Sequence, residues 1–203
     1  LQVAGRFVAD TQTGLVDGHD PSRPGHVLYR IAQADPAHVD EVLDQAMMAA
    51  DRWGSRSCAE RGKILRAVAH GLRANRGELM GAMIGDAGKT LPEGDVEVSE
   101  AIDFAEYYAR SLTPFEAEEG LELRPRGVVL VAPPWNFPLA IPAGGTLAAL
   151  MAGNAVVLKP APETVLTAWL LAKICWEAGV PREVLQFLPC ADDPVGTLLV
   201  SDP

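Results

Sequence analysis

Asn136 is the side chain best placed for chemistry, because of its neighbours. It sits in Ala132-Pro133-Pro134-Trp135-Asn136-Phe137-Pro138, a loop stiffened by three prolines at the end of the apolar run Gly127–Ala132. An amide held at a fixed point can aim its N–H donors at a developing oxyanion. The same amide could equally bond its own loop backbone, as asparagine commonly does. A second such place is Lys159-Pro160-Ala161-Pro162-Glu163-Thr164, directly after the apolar run Ala155–Leu158. There the Lys159 ammonium could bond ribose hydroxyls or a phosphate, or simply reach water.

A parallel sheet would bring these segments together. Gly127–Ala132, Ala155–Leu158 and Val184–Leu188 have the continuous apolar character of buried parallel strands. Helices are predicted between them, near Leu139–Met151 and Pro162–Ala178. Strand–helix–strand–helix–strand implies a right-handed parallel α/β unit, with ligands beyond the carboxyl ends of its strands. The dinucleotide fingerprint Gly-x-Gly-x-x-Gly is absent, and Gly144-Gly145 and Gly153 fall within or after a helix rather than at its start. From the residues alone, a nucleotide-sized ligand is only weakly indicated.

The elements upstream are helical. Asp35-Pro36 announces a helix whose residues Val39, Val42, Leu43, Ala46, Met47 and Ala50 recur at helical spacing. A second helix follows Ser57 with Ile64, Leu65, Val68 and Leu72 inward, and a third covers Gly77–Asp86. A fourth runs from about Glu93 to Arg110 and carries Glu97, Glu100, Phe104 and Tyr108 on one stripe. The first 35 residues read as arms and turns, at Thr13-Gly14, Asp17-Gly18, Asp20-Pro21 and Arg23-Pro24-Gly25, with a strand at Val27–Ile31. Leu121-Glu122-Leu123-Arg124 alternates like an exposed strand.

Composition narrows the function classes. The 203 residues are 48% hydrophobic and 22% charged, enough for a sizeable core, with a net charge of −10. So acidic a chain repels phosphate backbones, which argues against nucleic acid. The densest basic stretch, Arg61–Arg76, is interleaved with apolar residues and reads as the wet face of a helix. Three cysteines, Cys58, Cys175 and Cys190, have no metal-ligand spacing and read as reduced structural thiols of a cytoplasmic protein. No secretory signal is expected from Leu-Gln-Val-Ala-Gly-Arg at the N-terminus. Gly127–Leu158 carries no charge, but its prolines and glycines exclude a membrane span.

Two motifs in order, Pro134-Trp135-Asn136-Phe137-Pro138 and Ala152-Gly153-Asn154-Ala155-Val156-Val157-Leu158-Lys159-Pro160, make the chain resemble the N-terminal half of the NAD(P)-dependent aldehyde dehydrogenases. The similarity runs from the Val39–Trp53 helix to Glu177-Ala178-Gly179-Val180-Pro181. Within that family, Ala87-Gly88-Lys89-Thr90-Leu91-Pro92 and the segment from Glu97 to Ala109 are similar to the branch that oxidises L-glutamate γ-semialdehyde, the open form of 1-pyrroline-5-carboxylate. That branch includes the C-terminal module of the bifunctional proline-utilization enzymes.

The resemblance implies an α/β fold in which a helical segment precedes the first part of a Rossmann-like parallel sheet. It divides the chain into an N-terminal arm (1–35), a helical segment (36–113), an oligomerisation strand (114–126) and the start of the dinucleotide-binding unit (127–203). It implies that Asn136 stabilises an oxyanion. Ala132, Pro133, Pro134 and Trp135 lie against the nicotinamide half of the cofactor, and Lys159 holds the adenosine ribose in the segment that carries Glu163. Phe137 and Glu97 lie near the substrate, and no metal is involved. The implied cofactor is NAD, with NADP left open, and the substrate is a small aldehyde. A homo-oligomer of the full enzyme is implied, and a fused proline dehydrogenase domain is left open.

The departures point to a fragment. The family's Gly-Gln-x-Cys nucleophile and Glu-Leu-Gly-Gly base segments do not occur. Relatives carry Gly-Asp-Gly, at a loop that approaches the cofactor closely, where this chain reads Cys190-Ala191-Asp192-Asp193. With neither thiolate nor base, the chain alone cannot form or hydrolyse a thioester. Two alternatives accompany the glutamate-semialdehyde reading. One is a general aldehyde dehydrogenase, and the other a non-catalytic module that binds a dinucleotide or a partner.

Overall fold

The computed structural model describes residues 2–3, 6–7, 15–116 and 118–201. Two short strands, β1 (Gln2–Val3) and β2 (Arg6–Phe7), pair antiparallel. The Thr13-Gly14 turn lies outside the described residues, as does the chain end at Asp202 and Pro203.

β3 (Leu15–His19) and β4 (Val27–Ala32) form an antiparallel hairpin that turns at Asp20–Gly25. Asp20 shapes that turn by accepting from the Ser22 N–H at 2.8 Å and the Ser22 hydroxyl at 2.6 Å. Asp17-Gly18, expected as a turn, lies instead inside β3. Gly18 pairs with Tyr29, and a Cβ there would fall 2.1 Å from the Tyr29 ring. The glycine serves a close aromatic approach, not a bend.

Four long helices follow, each bounded at one end by local chemistry the sequence carries. α1 (Pro36–Gly54) is capped by Asp35, whose carboxylate accepts from the His38 N–H at 3.2 Å, with Pro36 in its first turn. α2 (Cys58–Ala74) begins with a reciprocal Ser57–Glu60 box. α3 (Arg76–Ala87) ends on Gly88, whose φ of 67° is left-handed and suits glycine. In α4 (Leu91–Ser111), Glu93 reaches back to the Thr90 N–H at 2.9 Å. The single turn α5 (Thr113–Glu116) comes next.

Two expectations about these helices change. Met47 is 55% exposed, because the buried stripe of α1 runs Val39–Val42–Ala46–Ala49/Ala50–Trp53 and leaves it on the flank. Arg61 is buried, not on the wet face of α2. Its guanidinium donates to Met151 O (2.8 Å), Gly54 O (3.2 Å) and Arg56 O, and lies 3.4 Å from Cys58 Sγ. It thereby satisfies carbonyls where α1 and α6 (Ala140–Met151) end.

Leu121–Arg126 forms no strand within this chain. Strand structure needs a partner for its backbone groups. Here both Leu121 and Leu123 are exposed.

The parallel unit matches the expected order. β5 (Val128–Val131), β6 (Ala155–Leu158) and β7 (Leu185–Phe187) lie side by side as β5-β6-β7, all parallel. The connecting helices are α6 and α7 (Val165–Glu177). β6 is fully buried and alternates between two cores. Val156 and Leu158 join the cluster built by α2, α4, α6 and α7, whereas Ala155 and Val157 face Val42, Ala46 and Ala50 of α1. The helical segment thus supplies one covering layer of the sheet. After β7 the chain passes through an irregular helical turn (Asp192–Gly196) into α8 (Thr197–Ser201). No helix among the described residues is long and apolar enough to cross a membrane.

Candidate active site

The carboxyl ends of β5, β6 and β7 meet at one cavity of about 750 Å³. The β5 end contributes Ala132, Pro133, Pro134 and Trp135, and the β6 end Lys159, Ala161, Pro162 and Glu163. Beyond β7 come Asp192 and Gly196, with the exposed face of α8 behind them. All six residues assigned to the cofactor from the sequence therefore line a single space, of a size usual for ligand sites.

Backbone bonds hold these ends in register. The Lys159 N–H donates to Val131 O at 2.9 Å, and the Leu188 N–H to Leu158 O at 2.9 Å. Asn154, from the second motif, acts one step further back. Its Oδ1 accepts from the Arg126 N–H (2.6 Å) and the Gly127 N–H (3.1 Å), while its Nδ2 donates to Ala149 O (3.1 Å). A buried asparagine thus ties the start of β5 to the end of α6.

The side chain of Lys159 is 10% exposed and forms an ion pair with Asp192, which is 76% exposed. This partner was not legible in the sequence, where Asp192 stood out only as a departure from the family pattern.

A second cluster forms around Phe137, the residue that follows Asn136. Glu97 is 1% exposed, and its Oε2 accepts from the backbone N–H groups of Leu139 and Ala140, both at 3.1 Å. These amides open α6, so a carboxylate from α4 caps that helix across the core. Lys89 Nζ lies 2.6 Å from Glu97 Oε1 and 4.4 Å from the centroid of the Phe137 ring. The two residues expected near the substrate are therefore brought together, with Lys89 between them. Phe137 is exposed, but the Glu97 carboxylate is occupied inside the chain. Lys89 escaped assignment to a role, although it stands in the Ala87–Pro92 segment that is similar to the semialdehyde branch.

Asn136 sits between the two clusters, next to Trp135 on the cavity side and Phe137 on the Lys89 side. Its side chain is exposed and makes no hydrogen bond among the described residues. The loop-backbone alternative thus has no hydrogen bond behind it, and the donors are open to a ligand.

Cys58 and Cys175 lie away from the cavity, whereas Cys190 is buried beside its Lys159–Asp192 pair. All three cysteines are buried and free. Burial pushes the Cys175 thiol up to about 12 and raises those of Cys58 and Cys190. A nucleophilic cysteine needs the opposite, an accessible and stabilised thiolate.

Comparison with known proteins identifies the family. The model of the aldehyde dehydrogenase family matches residues 7–203. The 1-pyrroline-5-carboxylate dehydrogenase of Staphylococcus epidermidis is 36% identical over 200 residues, 94% of this chain and 39% of that protein. The bifunctional protein PutA of Escherichia coli is 39% identical over 183 residues, 90% of this chain and 14% of that protein. A crystal structure of 1-pyrroline-5-carboxylate dehydrogenase from Thermus with bound NAD superposes with a TM-score of 0.90 at 32% identity, covering 98% of this chain and 40% of that one. The chain spans well under half the length of these relatives. Because the family match runs from Phe7 to the last residue and takes in every element that lines the cavity, the chain belongs to the aldehyde dehydrogenase family.

Proposed function

We propose that this chain is the cofactor-binding and oxyanion-stabilising part of an NAD-dependent enzyme that oxidises L-glutamate γ-semialdehyde to L-glutamate in proline catabolism. The observation that carries this reading is the convergence of three parallel strand ends on one cavity, with the exposed Asn136 directly following Trp135 of its lining. The donor set suits a dinucleotide. Lys159 offers N–H donors, Asp192 and Glu163 accept from hydroxyls, and Trp135 and the prolines give apolar surface. NAD, when bound, accepts the hydride lost by the aldehyde carbon.

This chain's own work is positioning and electrostatics. The Pro-rich loop presents the Asn136 N–H groups to the carbonyl-derived oxygen as negative charge gathers there. In this reading the nucleophile comes from outside these residues, since the three thiols are buried, and so does the base, whose Glu-Leu-Gly-Gly segment does not occur here. Water supplies the oxygen that turns the aldehyde into the carboxylate. The semialdehyde is favoured over other aldehydes by the relatives named 1-pyrroline-5-carboxylate dehydrogenase and PutA. The PutA likeness also supports a fused proline dehydrogenase domain. The Leu121–Arg126 segment, which joins no strand here, suits a homo-oligomeric contact, and free thiols suit the cytoplasm.

The buried thiols favour a second reading for the chain taken by itself, a dinucleotide-binding module without chemistry. Turnover decides between them. The full-length polypeptide containing this chain is assayed for NADH with glutamate γ-semialdehyde and with propanal. Preference for the semialdehyde is expected. Preference for propanal overturns the substrate, and no NADH with either aldehyde leaves the binding module.

A further inference from the structure

Lys159 and Asp192 are 33 positions apart in sequence, yet their charges meet at the cavity. The lysine stem runs past Gly196, where an added Cβ would lie 3.4 Å from Lys159 Cε and 3.3 Å from Ala191 O. A larger side chain there would push the stem away. The turn that carries Asp192 therefore also shapes the channel through which the ammonium reaches it.

The charged residues lining the cavity are Lys159, Glu163 and Asp192. Among the described residues no arginine and no second lysine lines it. The lining is thus net negative, and its cation already has a carboxylate partner.

That arrangement treats two ligand chemistries differently. A ribose hydroxyl both donates and accepts. A free diol can take an N–H from Lys159 and give an O–H to Asp192, so both protein groups stay paired. A phosphate monoester only accepts and carries a charge of about −1.5 to −2 near neutral pH. It would compete with Asp192 for Lys159 and leave an unpaired carboxylate beside it. A carboxylate on the ribose hydroxyl, or an arginine on the phosphate, is how dinucleotide sites generally separate the two.

We infer that Asp192 is a specificity-determining residue, which makes the cavity accept a dinucleotide with free adenosine ribose hydroxyls and reject one bearing a 2′-phosphate. This rests on the dinucleotide reading of the same cavity, and the test separates the two.

The full-length protein is titrated calorimetrically with NAD⁺ and with NADP⁺, without aldehyde, as wild type, Asp192→Asn and Asp192→Ser. Wild type should bind NAD⁺ more tightly by about tenfold or more, and both variants should shift the ratio of dissociation constants toward NADP⁺ by about tenfold. Added salt should narrow the wild-type ratio, because it screens like charges, and affect the variants less. If wild type binds NAD⁺ but both variants keep its ratio within about twofold, Asp192 is not the discriminator and the dinucleotide reading stands. A wild type that prefers NADP⁺ has the same consequence. If wild type binds neither dinucleotide, both readings fall.

Discussion

Lys89 places its ammonium 2.6 Å from the Glu97 carboxylate, with both side chains largely buried, at 13% and 2% exposure. The other Glu97 oxygen holds the first amides of α6, three and four residues after Asn136. The helix that anchors the Asn136 loop is therefore clamped from α4, and Lys89 extends the clamp to Phe137.

The two partners should not be equivalent. Glu97→Ala removes the cap and strands a buried ammonium, at a cost of about 3 kcal/mol or more. Lys89→Met leaves the carboxylate on two amides and a helix N-terminus, and should cost clearly less. Urea unfolding of the two variants measures this, and equal losses would refute the capping role.

Asn136→Ala separates catalysis from stability. The side chain makes no hydrogen bond among the described residues, so the unfolding free energy should change by no more than about 0.5 kcal/mol. In the full-length enzyme kcat should fall about a hundredfold, as expected for one lost oxyanion donor. Steady-state kinetics beside a melting curve tests both halves, and an unchanged kcat would return Asn136 to a loop role.

Asp86 makes stability depend on pH. It is 3% exposed and accepts from the Tyr29 hydroxyl at 2.9 Å, the Thr167 N–H at 2.9 Å and the Thr167 hydroxyl at 3.2 Å. Burial raises its pKa above the ordinary aspartate value of about 3.8, against the lowering effect of those bonds. The folded state therefore holds this proton more tightly than the unfolded one. Its contribution is greatest at low pH and declines as pH rises from about 3.8 through the raised folded value. Asp86→Asn should remove that decline, so the difference between wild type and variant shifts toward the variant across the window. Urea midpoints at stepped pH check it, and a constant difference would contradict it.

Arg61 should be irreplaceable by lysine. It donates to three carbonyls near two helix ends. Arg61→Leu leaves these acceptors short and should cost about 3 kcal/mol. Arg61→Lys should recover only part, because an ammonium cannot span the same fork of acceptors. Full rescue by lysine, read as recovered unfolding free energy, would refute the geometry.

Much of the scaffold was legible along the chain, because it depends on interactions within a few residues. Asp35-Pro36 and Ser57 with Glu60 started helices where expected, and the apolar run Ala155–Leu158 became the central strand. That the segments after β5 and β6 share one cavity was legible too, because a parallel sheet necessarily brings the carboxyl ends of its strands together. Local patterning misjudged Asp17-Gly18 and Arg61, since Tyr29 and the ends of α1 and α6 reach those positions only after folding. Lys89 with Glu97 and Lys159 with Asp192 are joined by helix packing and by the path of the chain after β7, not by any sequence period. The sequence by itself determined the four long helices, the three parallel strands and the sheet edge on which the cavity opens. Only the tertiary structure decided which charges meet there, because a buried charge takes its partner from whatever the packed chain brings within reach.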